Sequence, residues 1–503
     1  MGAALFYVAM GAMVIPLVGP QQDECLFVRG ILPPVYVHSA SHRYPDVAFM
    51  LMPYIGALKI WLYKPLFAIW GSSLWTLRFP VVILGGFSVW LAFAAARRFI
   101  TPWWAAAGAW LLAADPIFIW TGTLDWGPVA LQHLLALSMV CCAIRVHQSG
   151  DWRWALGAGL AAGLGVWDKA SFLWILAALV LAYVADNLRA AVSAWVRPRV
   201  AAAAAMGFLA GAAIFIRFNL RHGMETFRAQ AGLEWNLPNK LLGLVVTLNG
   251  SSLFGFIVND SGGPGLIGWS LLPLALVASV LIGLALEPVR RTTQFLSISF
   301  AAGYLLMALM KNAGFSSHHI VLLWPLPHLI VAAAAAGLWQ GQRAARILAL
   351  ALPALVLGSG LLVHARYVRQ ARIEGAAVQW TLASRQLAAR LEALNPPAIF
   401  VVDWGILDPL RVLGGGRLPL LPASDTIAAE IELSLADPRL LKLKDPSTLV
   451  VTRPDKELLF PNLNSNLNEW AAANGLSPET IERIQDDHGV TRFEIRRFAA
   501  PRQ

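Results

Sequence analysis

Eleven apolar runs punctuate the chain, near residues 2–19, 79–96, 103–121, 127–146, 154–168, 171–186, 200–219, 266–286, 294–310, 318–338 and 347–364. A helix rises about 1.5 Å per residue, so about 20 apolar residues cross a hydrocarbon core of roughly 30 Å. The pattern therefore predicts a polytopic α-helical membrane protein of about eleven spans. Two other apolar stretches make poorer spans. Residues 47–70 carry Lys59 and Lys64, and residues 241–258 are interrupted by Asn249, Gly250, Ser251 and Ser252. Both are expected to lie in the membrane interface or to re-enter from the outer side. The first run lacks a basic leading segment and a small-residue cleavage site, so it is expected to be a retained span.

Numbering the turns alternately places Arg97, Arg98, Arg145, Arg153, Arg189, Arg197, Arg199, Arg290, Arg291, Arg343 and Arg346 on one side. The positive-inside rule makes that side cytoplasmic. Residues 20–77, 220–265 and everything after about 366 then fall outside. This divides the chain into a membrane module, 1–365, with outer loops 20–77 and 220–265, and an extracytoplasmic domain, 366–503.

Beyond residue 366 charges recur every few residues and apolar runs shrink to strand length, the mark of a soluble α/β domain. A helix is expected over 374–394, stopped by Asn395-Pro396-Pro397. Strands are expected at 398–403, 448–452 and 491–498, with helical patterns at 424–433 and 478–485. Asp403 stands at the C-terminal end of the first strand, where open α/β sheets often bind ligands, although a loop carboxylate capping the next element is the commoner reading.

Composition agrees with the membrane assignment. Of 503 residues 57% are hydrophobic and only 14% charged, and the mean hydropathy is +0.60. The 21 Trp suit headgroup-level belts as well as core. A formal charge of +10 raises nucleic acid as a partner, but the arginines sit between spans and not along one face, which excludes it. Cys25 lies outside, and Cys141 and Cys142 are adjacent within a span, so no disulfide framework is implied.

Candidate chemistry collects in the outer turns. The first outer loop reads Asp23-Glu24-Cys25-Leu26-Phe27-Val28-Arg29. A carboxylate at the mouth of a bundle can serve as general base, and a nearby arginine can hold phosphate. The competing reading is a helix start, with Asp23 as cap and Glu24 favouring the dipole. Asp125 stands directly before a span and reads as a helix cap, the commoner role in isolation, or as a partner for the first loop. Lys169 in the next outer turn is either an interface snorkeler or a ligand for a lipid-borne phosphate. His318 and His319 open a late span, and adjacent histidines diverge on a helix, which disfavours a two-histidine metal site.

The order of these features resembles the lipid-dependent glycosyltransferases of the GT-C superfold, particularly the protein O-mannosyltransferase and aminoarabinose transferase group. The resemblance rests on Asp23-Glu24 and on Tyr44-Pro45-Asp46-Val47, where the family more usually shows His-Pro-Pro. It continues in Leu77-Arg78-Phe79-Pro80, Thr123-Leu124-Asp125, Gly163 to Lys169, where the family has Thr-Lys at the end, and His318 to Pro325. It covers about the first 340 residues. It implies a multi-pass membrane enzyme of the bacterial inner-membrane kind, GT-C in fold. Such an enzyme moves a sugar from a polyprenyl-phosphate carrier to an acceptor glycan, lipid or protein on the outer face, with inversion. In this reading Asp23 accepts the acceptor's proton and Glu24 and Asp125 tune it, while Arg29, Lys59, Lys64, Lys169 or His318 stabilise the leaving phosphate. Asp23 and Asp125 also offer oxygen ligands to a divalent metal. The rival reading is a transporter or flippase, which would place ionisable groups near the bilayer midplane, where these spans are nearly free of charge.

Overall fold

The computed structural model describes residues 1–33, 43–44, 47–229, 232–234, 236–260, 269–423 and 438–500. Each of the apolar runs contains a helix. In chain order the first half holds α1 (Gly2–Val14), α2 (Gln22–Cys25), α3 (Leu58–Trp70), α4 (Leu74–Ala96), α5 (Pro102–Ala113), α6 (Pro116–Leu124), α7 (Ala130–Ser149) and α8 (Trp152–Asp168). There follow α9 (Phe172–Trp195), α10 (Pro198–Arg221), α11 (Glu225–Ala229), α12 (Leu237–Leu248), α13 (Leu272–Ala285), α14 (Glu287–Ala308), α15 (Ser317–Ile320), α16 (Leu326–Leu338) and α17 (Arg343–Ile373). Among the described residues five helices are individually long and apolar enough to cross a membrane, or six with α5 and α6 taken as one span bent by 59°. Neither 47–70 nor 241–258 forms a full-length helix. Two short hairpins, β1 (Arg43–Tyr44) with β2 (Val47–Ala48) and β3 (Met50–Met52) with β4 (Ile55–Gly56), precede α3.

The arginine-bearing turns converge on one end of the bundle. A Cβ on Gly150 would lie 2.3 Å from the Arg197 guanidinium, Arg291 pairs with Asp186 at 2.6 Å, and Trp104 meets Trp339 at 5.9 Å between centroids. The common side for these arginines, read from alternation of the turns, thus has a physical counterpart.

Helices α8 and α10 approach most closely where small residues face each other at four-residue spacing, Gly159 and Gly163 against Gly207 and Gly211. A Cβ on Gly163 would stand 2.3 Å from the Phe208 carbonyl, and one on Gly207 2.2 Å from that of Leu156. Backbone-to-backbone packing of this kind is how helices gain van der Waals contact in lipid, where hydrophobic burial gives no drive. Replacing Gly163 by Leu is therefore expected to cost about 3 kcal/mol or more through overpacking, read as a lowered melting temperature of the detergent-purified protein.

α17 continues to Ile373, past the expected domain boundary at 365, and leads into a C-terminal sheet domain. This contains α18 (Ala383–Leu394), β5 (Ile399–Val401), α19 (Leu407–Leu413), β6 (Leu420–Pro422), β7 (Leu449–Thr452), α20 (Leu463–Ala473), β8 (Ser477–Gln485) and β9 (Thr491–Ala499). The five strands run in the order β6-β5-β7-β9-β8, with β6, β5 and β7 parallel and the last two pairings antiparallel. Alternate strand residues serve opposite faces. Ile399, Val401 and Val451 pack with Leu387, Leu391 and Leu410 on one face, and Phe400, Val450 and Phe498 with Leu463, Leu467 and Trp470 on the other.

Two expectations are corrected here. The helix expected from 374 begins at Ala383, because the preceding residues finish α17 and a short turn. Residues 478–485 are strand and not helix. Thr480, Ile481 and Ile484 have helical spacing, but the long β9 edge recruits the segment, and the register shifts between Thr480 and Glu482, which hides a two-residue alternation. Ion pairs Glu479 with Arg497 and Glu494 with Arg483 fasten the pairing. The helical pattern expected at 424–433 lies outside the described residues.

Candidate active site

The site lies at the end of the bundle opposite the arginines and begins with the one-turn helix α2. Its cap is Gln21, not Asp23: the Gln21 side chain accepts from the Asp23 backbone N–H at 2.6 Å, and Glu24 accepts from the Gln21 N–H at 2.9 Å. This reciprocal box satisfies two of the free N–H groups at the helix start and leaves the Asp23 carboxylate outside it. Glu24 is then engaged completely by Arg78, whose guanidinium donates to its two oxygens at 2.9 and 2.5 Å. The same guanidinium caps the end of the α1 segment by donating to the carbonyls of Ile15, Val18 and Gly19 at 2.7, 2.8 and 2.6 Å.

Asp125 combines both of its expected roles. Its Oδ1 accepts from the Val129 and Ala130 N–H groups at 2.9 Å each, at the start of α7, and its Oδ2 accepts from Lys59 at 2.5 Å. Lys59 is buried and also lies over the Phe27 ring at 4.3 Å. Lys64 is five residues further along α3. At 100° per residue it points to another face, and it is exposed there. The structure does not bring it to this site.

Lys169 closes the other wall. Its Nζ donates to the Gly127 carbonyl at 2.6 Å. The imidazole of His318 packs against Trp126, with ring centroids 4.4 Å apart and planes tilted by 59°, and approaches Gly127 so closely that a Cβ there would meet the ring at 2.5 Å. Asp23, Lys59 and Asp168 line one narrow cleft with Leu26, Phe27, Leu51, Ile55, Gly56 and Pro128. Glu24 and Asp125 are in salt bridges, whereas Asp23 and Asp168 are in none among the described residues. Burial raises the Asp23 carboxyl above the usual range, opposed by Lys169, Trp126, Gln21 and Arg29. Burial likewise lowers the Lys169 ammonium to about 8, against the pull of Asp23, Asp168 and Asp125.

Arg29 leaves the cleft for the C-terminal domain, donating to Asp408 Oδ2 at 2.7 Å. The same oxygen accepts from Gln22 at 2.5 Å, and Arg411 holds Oδ1 at 2.8 Å. The segment entering the sheet domain presses on the loop as well: Gly19 N–H donates to the Trp380 carbonyl at 2.6 Å. Asp403, by contrast, accepts from the Leu459 and Phe460 N–H groups at 3.1 and 3.4 Å and faces Arg453 at 3.3 Å. It orders a loop of its own domain. Among the described residues a divalent cation finds no ready set of ligands. Both Asp125 oxygens are engaged, and no group of three or more His, Cys, Asp or Glu side chains converges among the described residues.

Sequence reasoning missed Arg78, Asp168, Asp408 and the Asp115–His328 pair. Arg78 was visible as an arginine at the start of an apolar run, which demands a buried acceptor. Asp115 breaks α5 from α6, caps α6 through the Phe118 N–H at 2.8 Å and meets His328 at 3.1 Å. The spans are therefore not free of ionisable groups. Pro45 and Asp46, in the segment compared with His-Pro-Pro, lie outside the described residues.

The fold is that of the GT-C glycosyltransferases. Residues 56–218 match the family model described as dolichyl-phosphate-mannose-protein mannosyltransferase. The chain is similar to ArnT from Cupriavidus metallidurans crystallised with undecaprenyl phosphate, at 14% identity and a TM-score of 0.61, covering 99% of this chain and 98% of that one. It is also similar to apo ArnT from the same organism, at 16% identity and a TM-score of 0.59, covering 100% and 99%. No curated protein matches by sequence. Family match and fold together support a membrane glycosyltransferase.

Proposed function

We propose that the chain transfers a sugar from a polyprenyl-phosphate carrier to an acceptor glycan, lipid or protein on the extracytoplasmic face, with inversion. The observation that carries this is the cleft itself. It sets Asp23, a carboxylate in no ion pair among the described residues, within one small space with Lys59, and beside Lys169, at the rim opposite the arginine-rich end. Asp23 takes the proton from the acceptor hydroxyl as its oxygen attacks the anomeric carbon. The bond from that carbon to the phosphate oxygen breaks on the opposite face, and the polyprenyl phosphate departs with the electron pair. Phosphate needs no proton to leave, only cations, and Lys59 and Lys169 each keep donors beyond the bonds they make here. Glu24 and Asp125 position these groups through Arg78 and Lys59. The rival transporter reading gains little from Asp115 and His328, whose contacts serve a helix break.

The test is incubation of purified protein with polyprenyl-phosphate mannose and a membrane extract as acceptor source, following release of polyprenyl phosphate. Release that depends on the protein and on Lys169 supports the reading, and none across a panel of sugars overturns it. Sidedness is tested by accessibility labelling of cysteines introduced at residues 72 and 149, which should react from opposite faces.

A bell-shaped pH profile is expected for kcat/KM of the donor. Asp23 must be ionised, so activity rises with pH through its raised value. Lys169 must be protonated, so activity falls as pH passes about 8. In Lys169→Arg the alkaline limb should move upward, since a guanidinium stays charged; an unmoved limb would assign it to another group.

A further inference from the structure

We propose that Asp168 is a specificity-determining residue that accepts a hydrogen bond from a hydroxyl group of the transferred sugar; this rests on the transferase reading above. Asp168 ends α8 and is only 2% exposed, yet it lines the cleft together with Asp23 and Lys59. A carboxylate offers about four acceptor positions. Among the described residues its side chain has one hydrogen-bond donor, Gln132 Nε2 at 2.7 Å. The lysines nearest it are turned to other partners, Lys59 to Asp125 and Lys169 to the Gly127 carbonyl. Burying a carboxylate so sparsely satisfied is costly, and a fold that needed it only for structure would supply more donors. Gln132 adds a second unmet acceptor beside it: the side chain is fully buried, its Nε2 is shared between Asp168 and the Gly165 carbonyl, and its Oε1 has no partner among the described residues.

Charge and connectivity decide what this pair of acceptors can meet. A phosphate would be repelled by Asp168, and the lysines provide for it. The group that must lie next to the phosphate is the sugar bonded to it, and Asp168 directly precedes Lys169 in the chain. A sugar brings what the site lacks, uncharged O–H donors on a rigid ring. Hydrogen bonds of this type discriminate strongly, because an analogue without the hydroxyl leaves the buried acceptor unpaired.

The experiment measures binding of two ligand types to detergent-purified wild type, Asp168→Asn and Asp168→Ala: sugar-free polyprenyl phosphate, and polyprenyl phosphate carrying mannose, glucose or galactose. In Asp168→Ala the affinity for the preferred sugar-bearing carrier should fall at least tenfold while that for the bare carrier stays within twofold. Asp168→Asn, which keeps the shape and an acceptor oxygen, should lie between. Monodeoxy forms of the preferred sugar should then reveal one position at which wild type discriminates and Asp168→Ala does not. Equal loss for both ligand types, or no loss for either, overturns the assignment while leaving the transferase reading intact. Wild type that binds neither ligand type overturns both. Bare-carrier binding doubles as the control for folding.

Discussion

Asp23→Asn should lower turnover of a polyprenyl-phosphate sugar by roughly 10²- to 10⁴-fold, the range over which a positioned general base contributes, with little change in thermal stability. The reason for expecting so clean a separation is local. The α2 box is closed by Gln21 and Glu24, and no salt bridge among the described residues depends on Asp23. The substitution therefore removes a charge and a proton acceptor without removing a support. Single-turnover measurement with bound donor would isolate the chemical step. Wild-type-like rates would show that Asp23 is neither base nor positioner. Rates reduced together with melting temperature would make the residue structural. Should the acceptor be already ionised, such as a phosphate, the loss would be smaller and insensitive to pH on the acid side.

Arg78→Met should have the opposite signature, a loss of roughly 3–5 kcal/mol in stability accompanied by lost activity. Breaking a buried ion pair leaves an uncompensated charge, and that penalty, more than the worth of the pair itself, sets the magnitude. Arg78 is fully buried, and its removal strands Glu24. It also releases three carbonyls at the end of the α1 segment. The double variant Arg78→Met, Glu24→Gln should recover part of the stability, since the stranded charge is gone, but should not recover activity if the geometry of α2 is what Arg78 provides. Thermal unfolding followed beside a transfer assay separates the two. Full recovery of both would reduce the pair to a mere electrostatic fixture.

The positions of the apolar helices were legible because membrane helices declare themselves through continuous apolar runs, and the arginine-bearing turns through charge; the number of spans was not, since among the described residues five or six helices are long and apolar enough to cross. Every run proved helical, and the turns met at one end. The sites were legible as residue types in order, less so as partners. Lys59 and Lys64 look equivalent in an apolar stretch, and only the phase of α3 tells the buried one from the exposed one. Arg29 reads as a phosphate ligand three residues after Leu26, but its partner, Asp408, is 379 residues away in the chain, beyond anything periodicity can indicate. Asp125 seemed to pose a choice between cap and ion pair, and its two oxygens do one each. The sheet domain was the least legible part. Its strands are short, its segments alternate rapidly, and in 478–485 a helical spacing gave way to an unfilled strand edge.

The contact between Asp408, Gln22 and Arg29 bears on how this protein could be rebuilt. Because one carboxylate of the sheet domain grips Gln22 and Arg29, on either side of Asp23 in the chain, domain and loop are not separable modules. Grafting the C-terminal part of a similar transferase onto this bundle should leave an inert hybrid unless residues 21–29 travel with it. A graft that includes them carries over its own matched latch.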